Sequence, residues 1–259
     1  MSAQVAVVRA AATLIVHLES ASAVDVFTPL CAGFMRVVGN ALRSGDTDAA
    51  RDAIGYCVDL ADVVPRFFKE PLGAVVGDLS AVAGGAGRWP DALRHICVEL
   101  LTTLAEKAAA MVRKLPKNGF LRAVLPSLLT MMTELEEMPL ARWEGGSKSE
   151  MNALSNPNVG EETLLRIAEA IGPKRFVPSL MELVAVALRG PGWREVHAGV
   201  RALVAIAHVA EASREDLVGY MAMLLPHVQV RVCVCACVCV RVFVCACVCV
   251  CLLVSGGGL

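Results

Sequence analysis

Aromatic residues make up only 5% of this 259-residue chain, which leaves little material for base-stacking platforms. Net charge is nearly absent as well: 24 Lys and Arg against 25 Asp and Glu give −1. That balance exerts no general pull on nucleic acid. The small basic groups, Arg113 and Lys114 with Lys117, and Lys174 with Arg175, read as solvated surface. Before residue 230 no charge-free apolar run reaches spanning length. The N-terminal MSAQVAVVRAAATLIVHLES carries Arg9 and His17 inside its apolar run, so it reads as an amphipathic helix rather than an export signal. Cysteine is scarce over the same span. Only Cys31, Cys57 and Cys97 precede residue 230, each on an apolar helical face. Three lone thiols without an export signal point to a reducing compartment, the cytosol or nucleus.

Catalytic groupings are lacking too. The five histidines, at 17, 95, 197, 208 and 227, are scattered along the repeats. His208 and Glu211 are helical neighbours, but no second metal ligand converges on them. No Ser-His-Asp or Cys-His order and no pair of buried carboxylates can be argued. Ala83–Gly87 (AGGAG) has no preceding strand and no following Lys-Ser/Thr, so it is a turn and not a phosphate loop. Met131, Met132, Met181, Met221 and Met223 lie at apolar helical positions and read as core filler. The expectation is a protein that is not an enzyme, with no cofactor and no metal.

What the chain does have in excess lies at its end. Eight of its 11 cysteines fall in VRVCVCACVCVRVFVCACVCVC, residues 230–251. Even positions hold only Val or Ala, and odd positions only Cys, Arg or Phe. A GT dinucleotide repeat translates as Val-Cys without end. Ala236 and Ala246 are each one base from the Val codon. Arg231, Arg241 and Phe243 are each one base from the Cys codon. Residues 230–259 therefore read as a translated microsatellite, with native sequence ending near Gln229. Three other readings stand beside this one: a β-strand, a thiolate metal site, and a weak membrane span.

Proline and periodicity organise the rest. Pro29, Pro71, Pro126, Pro178 and Pro226 each stand near the expected start of an apolar helix, where no helical N–H is needed. From Pro29 to Ile54, from Pro71 to Ile96 and from Pro178 to Leu203 the spacing is 25 residues each time. From Pro126 to Ile167 it is 41, so that unit carries an insertion of 16 residues. The proline-to-proline steps of 42, 55, 52 and 48 suit two-helix repeats of the HEAT or armadillo kind, at roughly 40–47 residues plus insertions. The expected fold is all-α, a HEAT-repeat (alpha-alpha superhelix) solenoid fragment. It occupies residues 1–229 as about five hairpins, first and last incomplete, with an insertion at 137–158 and the low-complexity tail at 230–259. Asp46 or Thr47 is expected to cap a helix running through 64, and the helix over 89–114 to bend near Ala105.

Four segments resemble a known family: AAAMVRK (108–114), LLTMMTELEE (128–137), GEETLLRIAEAIG (160–172) and GWREVHAGVRALVAIA (192–207). In this order they are similar to the karyopherin-β nuclear transport receptors, most of all the importin-five (karyopherin beta-3) subfamily. The resemblance implies an import receptor that binds cargo with basic signals on its second helices and releases it when GTP-bound Ran binds. It also implies nucleoporins as partners, residence in cytoplasm and nucleus, and no direct nucleic acid or membrane. One departure is the insertion. It is markedly acidic in relatives, whereas here it holds three glutamates against Arg142 and Lys148.

Two sets of residues stand out. Glu134, Glu136 and Glu137 at the helix end and Trp143 in the Gly/Ser-rich loop are candidate partner-binding residues. Trp193, Arg194 and His197 at the start of a helix are read as structural, packing between repeats. Other functions consistent with helical repeats are a scaffold of the phosphatase regulatory-subunit type, and a tail-anchored or metal-binding helical protein that uses residues 230–251.

Overall fold

In the computed structural model residues 2–18, 20–135 and 155–210 are described. They form eleven α-helices and no strand: α1 (Ser2–Val16), α2 (Ala21–Phe27), α3 (Leu30–Ser44), α4 (Thr47–Val63), α5 (Leu72–Ala83), α6 (Asp91–Lys107), α7 (Ala109–Val112), α8 (Gly119–Met132), α9 (Asn156–Ile171), α10 (Pro173–Arg189) and α11 (Trp193–Ala210). The chain divides into two compact units, Met1–Ile171 and Gly172–Leu259.

In the first unit the helices form antiparallel hairpins, α3 with α4, α5 with α6, and α8 with α9. The second helices pack side by side in the order α1, α4, α6, α9. Each of the middle ones buries apolar residues on more than one side: Ala50, Ala53, Ile54, Cys57 and Leu60 on α4, and Leu93, Cys97, Val98, Leu101 and Leu104 on α6. A helix with so broad an apolar surface must be flanked on several sides. The stack of second helices supplies those flanks.

Local chemistry sets the turns. Gly45 takes the left-handed conformation (φ 76°). Its N–H donates to the Leu42 carbonyl, and that of Asp46 donates to Ala41. This satisfies carbonyls that α3 leaves without helical partners. Asp46 then caps α4, its Oδ1 accepting from the Ala49 N–H at 3.1 Å, so the expected helix start is found there.

The prolines act differently from the sequence-based expectation. Pro29 and Pro71 do stand immediately before α3 and α5, but Pro126 and Pro178 lie inside α8 and α10. All four fall five to eight residues after the first arm of a hairpin begins, at Ala21, Pro65, Gly119 or Pro173. A proline there removes one N–H and crowds the preceding turn. In the first two arms the helix breaks, leaving α2 and the 3-10 turn Pro65–Phe68 as separate pieces. In the other two it runs through.

Two further boundaries shift. The bend expected near Ala105 falls at Ala108 (φ −134°, ψ 37°), between α6 and α7. The insertion expected through residue 158 ends earlier, because α9 begins at Asn156 with Pro157 in its first turn. In the second unit, α10 and α11 form one hairpin. Gly199 lets them approach closely: a Cβ there would stand 3.2 Å from Ala187 Cβ.

Candidate functional site

Two clusters of charged and hydrogen-bonded side chains in the first unit join different helices over several contacts. One lies at the ends of four helices. Arg94, in the first turns of α6, is 1% exposed. Its Nη1 and Nη2 donate to Glu134 Oε2 and Oε1 at 2.7 and 2.5 Å, and its Nε to the Ala83 carbonyl at 2.8 Å. Nη1 also lies 3.3 Å from Asp91 Oδ1. Asn156 Nδ2 donates to the same two carboxylates, to Glu134 Oε2 at 2.7 Å and to Asp91 Oδ1 at 2.8 Å. That leaves Asn156 Oδ1 as the acceptor for His95 Nε2 at 2.6 Å. The hydrogen bonds to Glu134 hold the guanidinium above the usual arginine range against the cost of burial. A buried charge is tolerated only when paired and hydrogen-bonded in this way.

The structure thus places Glu134 as the bidentate partner of Arg94, both of its oxygens engaged. Glu136, Glu137 and Trp143 lie outside the described residues. Arg94 was not singled out in the sequence, although a signal was present. It occupies the apolar register of α6, three, four and seven residues before Cys97, Val98 and Leu101, where an arginine demands a buried acid.

The second place is the exposed surface of the second helices. Asp59, Asp62, Glu99 and Thr103 line a groove of about 340 Å³ between α4 and α6, with Val16, Val58 and Val63 as its apolar wall. Lys107 Nζ meets Asp62 Oδ1 at 2.8 Å, both groups about half exposed. From α9, Arg166 forks onto two carboxylates of α6. Its Nη1 and Nη2 donate to Glu99 at 2.8 and 3.1 Å, and its Nε and Nη2 to Glu106 at 2.8 and 3.0 Å. The hydrogen bonds to Glu106 and then Glu99 push its guanidinium further up.

In the second unit Trp193 opens α11 and is 44% exposed. The Arg194 guanidinium lies 5.2 Å from its ring centroid, within cation–π range, and the His197 ring stands edge-on at 6.5 Å. Burial holds the His197 imidazole below its ordinary value. These three residues therefore form one local stack on the first turns of the helix.

Among the described residues, no group of three or more His, Cys, Asp or Glu is placed to hold a metal ion, and no helix is long and apolar enough to cross a membrane. The thiols of Cys31, Cys57 and Cys97 are buried. Burial pushes those of Cys31 and Cys97 up to about 12, far from the ionised form a nucleophile needs. The Val/Cys tail and the readings attached to it lie outside the described residues.

Residues 89–178 match the Importin repeat family model. The chain is 23% identical over 189 residues to Importin subunit beta-3 of Saccharomyces cerevisiae (strain ATCC 204508 / S288c), which covers 72% of this chain and 17% of that protein. Among solved structures it is similar to Kap121p bound to RanGTP, with a TM-score of 0.74 and 20% identity over 84% of this chain and 22% of that one. It is likewise similar to Kap121p bound to Nup53p, with a TM-score of 0.73 and 20% identity over 85% and 22%. The chain spans about a sixth of the length of the curated relative it matches. The structural likeness shows the fold, an all-α HEAT-repeat fragment. Fold and family-model match agree with the motifs in the sequence: residues 89–178 are similar to an importin repeat, and the chain is similar to a short stretch of Importin subunit beta-3.

Proposed function

We propose that this chain is part of a nuclear import receptor that binds cargo bearing basic signals on the face of its second helices. Release on binding of GTP-bound Ran, contact with nucleoporins, and residence in cytoplasm and nucleus belong to the same reading. The observation that carries it is the run of carboxylates on neighbouring second helices: Asp59 and Asp62 on α4 and Glu99 on α6 line an open groove, and Glu106 follows on α6. Lys107 and Arg166 pair with three of the four, which leaves a local excess of negative charge beside apolar wall in a chain of net charge −1. Such a surface attracts lysine- and arginine-rich segments and gives their methylene stems something to cover. The work is binding rather than catalysis, with affinity spread over many modest contacts. The importin repeat and the neighbours solved with RanGTP and with Nup53p support the reading.

The test is fluorescence anisotropy with a labelled lysine-rich peptide and a charge-scrambled control, with and without RanGTP. Salt-sensitive binding of the basic peptide, weakened by RanGTP, is the expected result. Equal affinity for a control peptide in which the lysines are replaced by glutamates would overturn the cargo reading. Binding that ignores RanGTP would remove Ran control from this part of the receptor.

A further inference from the structure

Four helix ends meet at Arg94: the last carbonyl of α5 at Ala83, the first turn of α6 at Asp91, Arg94 and His95, the segment just past α8 at Glu134, and the first residue of α9 at Asn156. The charges suit their places. The guanidinium stands at the C-terminal ends of α5 and α8, where a helix dipole favours a cation, and Asp91 stands in the first turn of α6, where it favours an anion. An apolar side chain at position 94 could pack against its neighbours over a range of helix rotations. A planar fork bonded to both oxygens of one carboxylate fits in one geometry.

The geometry also bears on the segment that separates α8 from α9. Glu134 and Asn156 are 22 positions apart in sequence, yet their side chains are 2.7 Å apart, and Asn156 donates to the same two carboxylates, Glu134 and Asp91, that Arg94 engages. The entropy of bringing chain ends together grows only slowly with the length between them, by about 0.6 kcal/mol per doubling. The end of α8 and the start of α9 are each fixed by bonds to α6. They are also fixed by burial, because Gly160 lies so close to α8 that a Cβ there would stand 3.0 Å from the Leu128 carbonyl. These bonds are made by residues outside the segment, on α6 and at its two flanks.

We infer that the Arg94–Glu134–Asn156 network is a helix-end lock that pairs α8 with α9 independently of residues 136–154. The lock sets where the two helices meet, and the intervening sequence is free to differ in length and composition without altering the repeat. This inference stands whether or not the cargo reading holds, since it concerns only how the hairpin closes.

Hydrogen–deuterium exchange on the full chain tests it. In one variant residues 138–152 are replaced by a roughly four-residue Gly/Ser linker, an ordinary helix–helix connection length. Exchange in the last turn of α8 and the first two turns of α9 should stay within about threefold of the parent, a change of well under 1 kcal/mol. Arg94→Met should raise exchange in those same turns by roughly thirtyfold, because it removes the forked ion pair and leaves the half-buried Glu134 with Asn156 as its remaining partner, while α4 keeps its protection. Arg94→Lys should fall between, since an ammonium cannot fork onto both oxygens. Should Arg94→Met fail to fold, Glu134→Gln reads the same turns, with an expected rise of roughly tenfold for loss of the charge-assisted pair. The lock is overturned if shortening the segment deprotects α8 and α9, or if these substitutions leave both turns as protected as in the parent.

Discussion

A Cβ on Gly160 would stand 2.9 Å from Met132 Cγ and 3.0 Å from the Leu128 carbonyl oxygen. The sulfur-bearing chain can move, but the backbone oxygen cannot without bending α8. Gly160→Ala should therefore lower stability by about 1–3 kcal/mol despite the better helix propensity of alanine, read as a drop in urea midpoint at unchanged slope. The buried cysteines give a second expectation. Burial raises the Cys31 and Cys97 thiols from their ordinary 9.0 to about 12, and that of Cys57 in the same direction. The folded state keeps these thiols protonated while the unfolded chain ionises. The stability they allow is thus complete below pH 9 and falls as pH rises from 9 towards 12. Urea midpoints across that range should decline. Peptide mapping after iodoacetamide treatment at neutral pH should find these three thiols modified only in denaturant. Polarity of single positions was legible in the sequence, but pairing was not. Glu134 reads from the sequence as a helix-end carboxylate beside Glu136 and Glu137. Its partner lies 40 residues away, and nothing local to either residue announces the other.

Pro126 tests the helix as an element. It is exposed on α8, and the helix continues through it to Met132. Alanine there restores a backbone donor and removes the clash with the preceding turn. Pro126→Ala should raise the urea midpoint by an amount equivalent to roughly 1 kcal/mol or more. Pro29→Ala should give less, because the arm is already broken between α2 and α3 and the gain requires rebuilding it. The same contrast explains what the sequence could say about elements. Spacing of 25 residues between proline and the apolar run of the next helix revealed the hairpin, since it depends only on helix length and turn. Whether a given proline starts a helix or sits inside it was not legible. A missing N–H fits both places, and packing of the flanking turns decides. The start of α9 was hidden for a similar reason. Pro157 and Asn156 read as loop residues until Asn156 is seen bonded to Glu134 and Asp91.

At the scale of the whole molecule, a net charge of −1 conceals an uneven surface. The carboxylates of α4 and α6 are not equivalent. Glu99 and Glu106 are held by Arg166, and Asp62 by Lys107, so replacing any of them disturbs the pairing of helices as well as the surface potential. Asp59 is exposed on the groove and takes part in none of these ion pairs. It separates binding from stability. If basic cargo is drawn to this face, Asp59→Lys should weaken a lysine-rich peptide by about 3–10-fold at low salt. The effect should shrink as ionic strength rises and the screening length falls towards ~8 Å. The urea midpoint should move by no more than about 0.5 kcal/mol, as for other exposed substitutions. Glu99→Gln offers the contrast, losing stability together with affinity because Arg166 gives up two of its bonds. A peptide that binds Asp59→Lys as tightly as the parent at low salt does not use this groove, and the proposed cargo surface must then be sought on other helices.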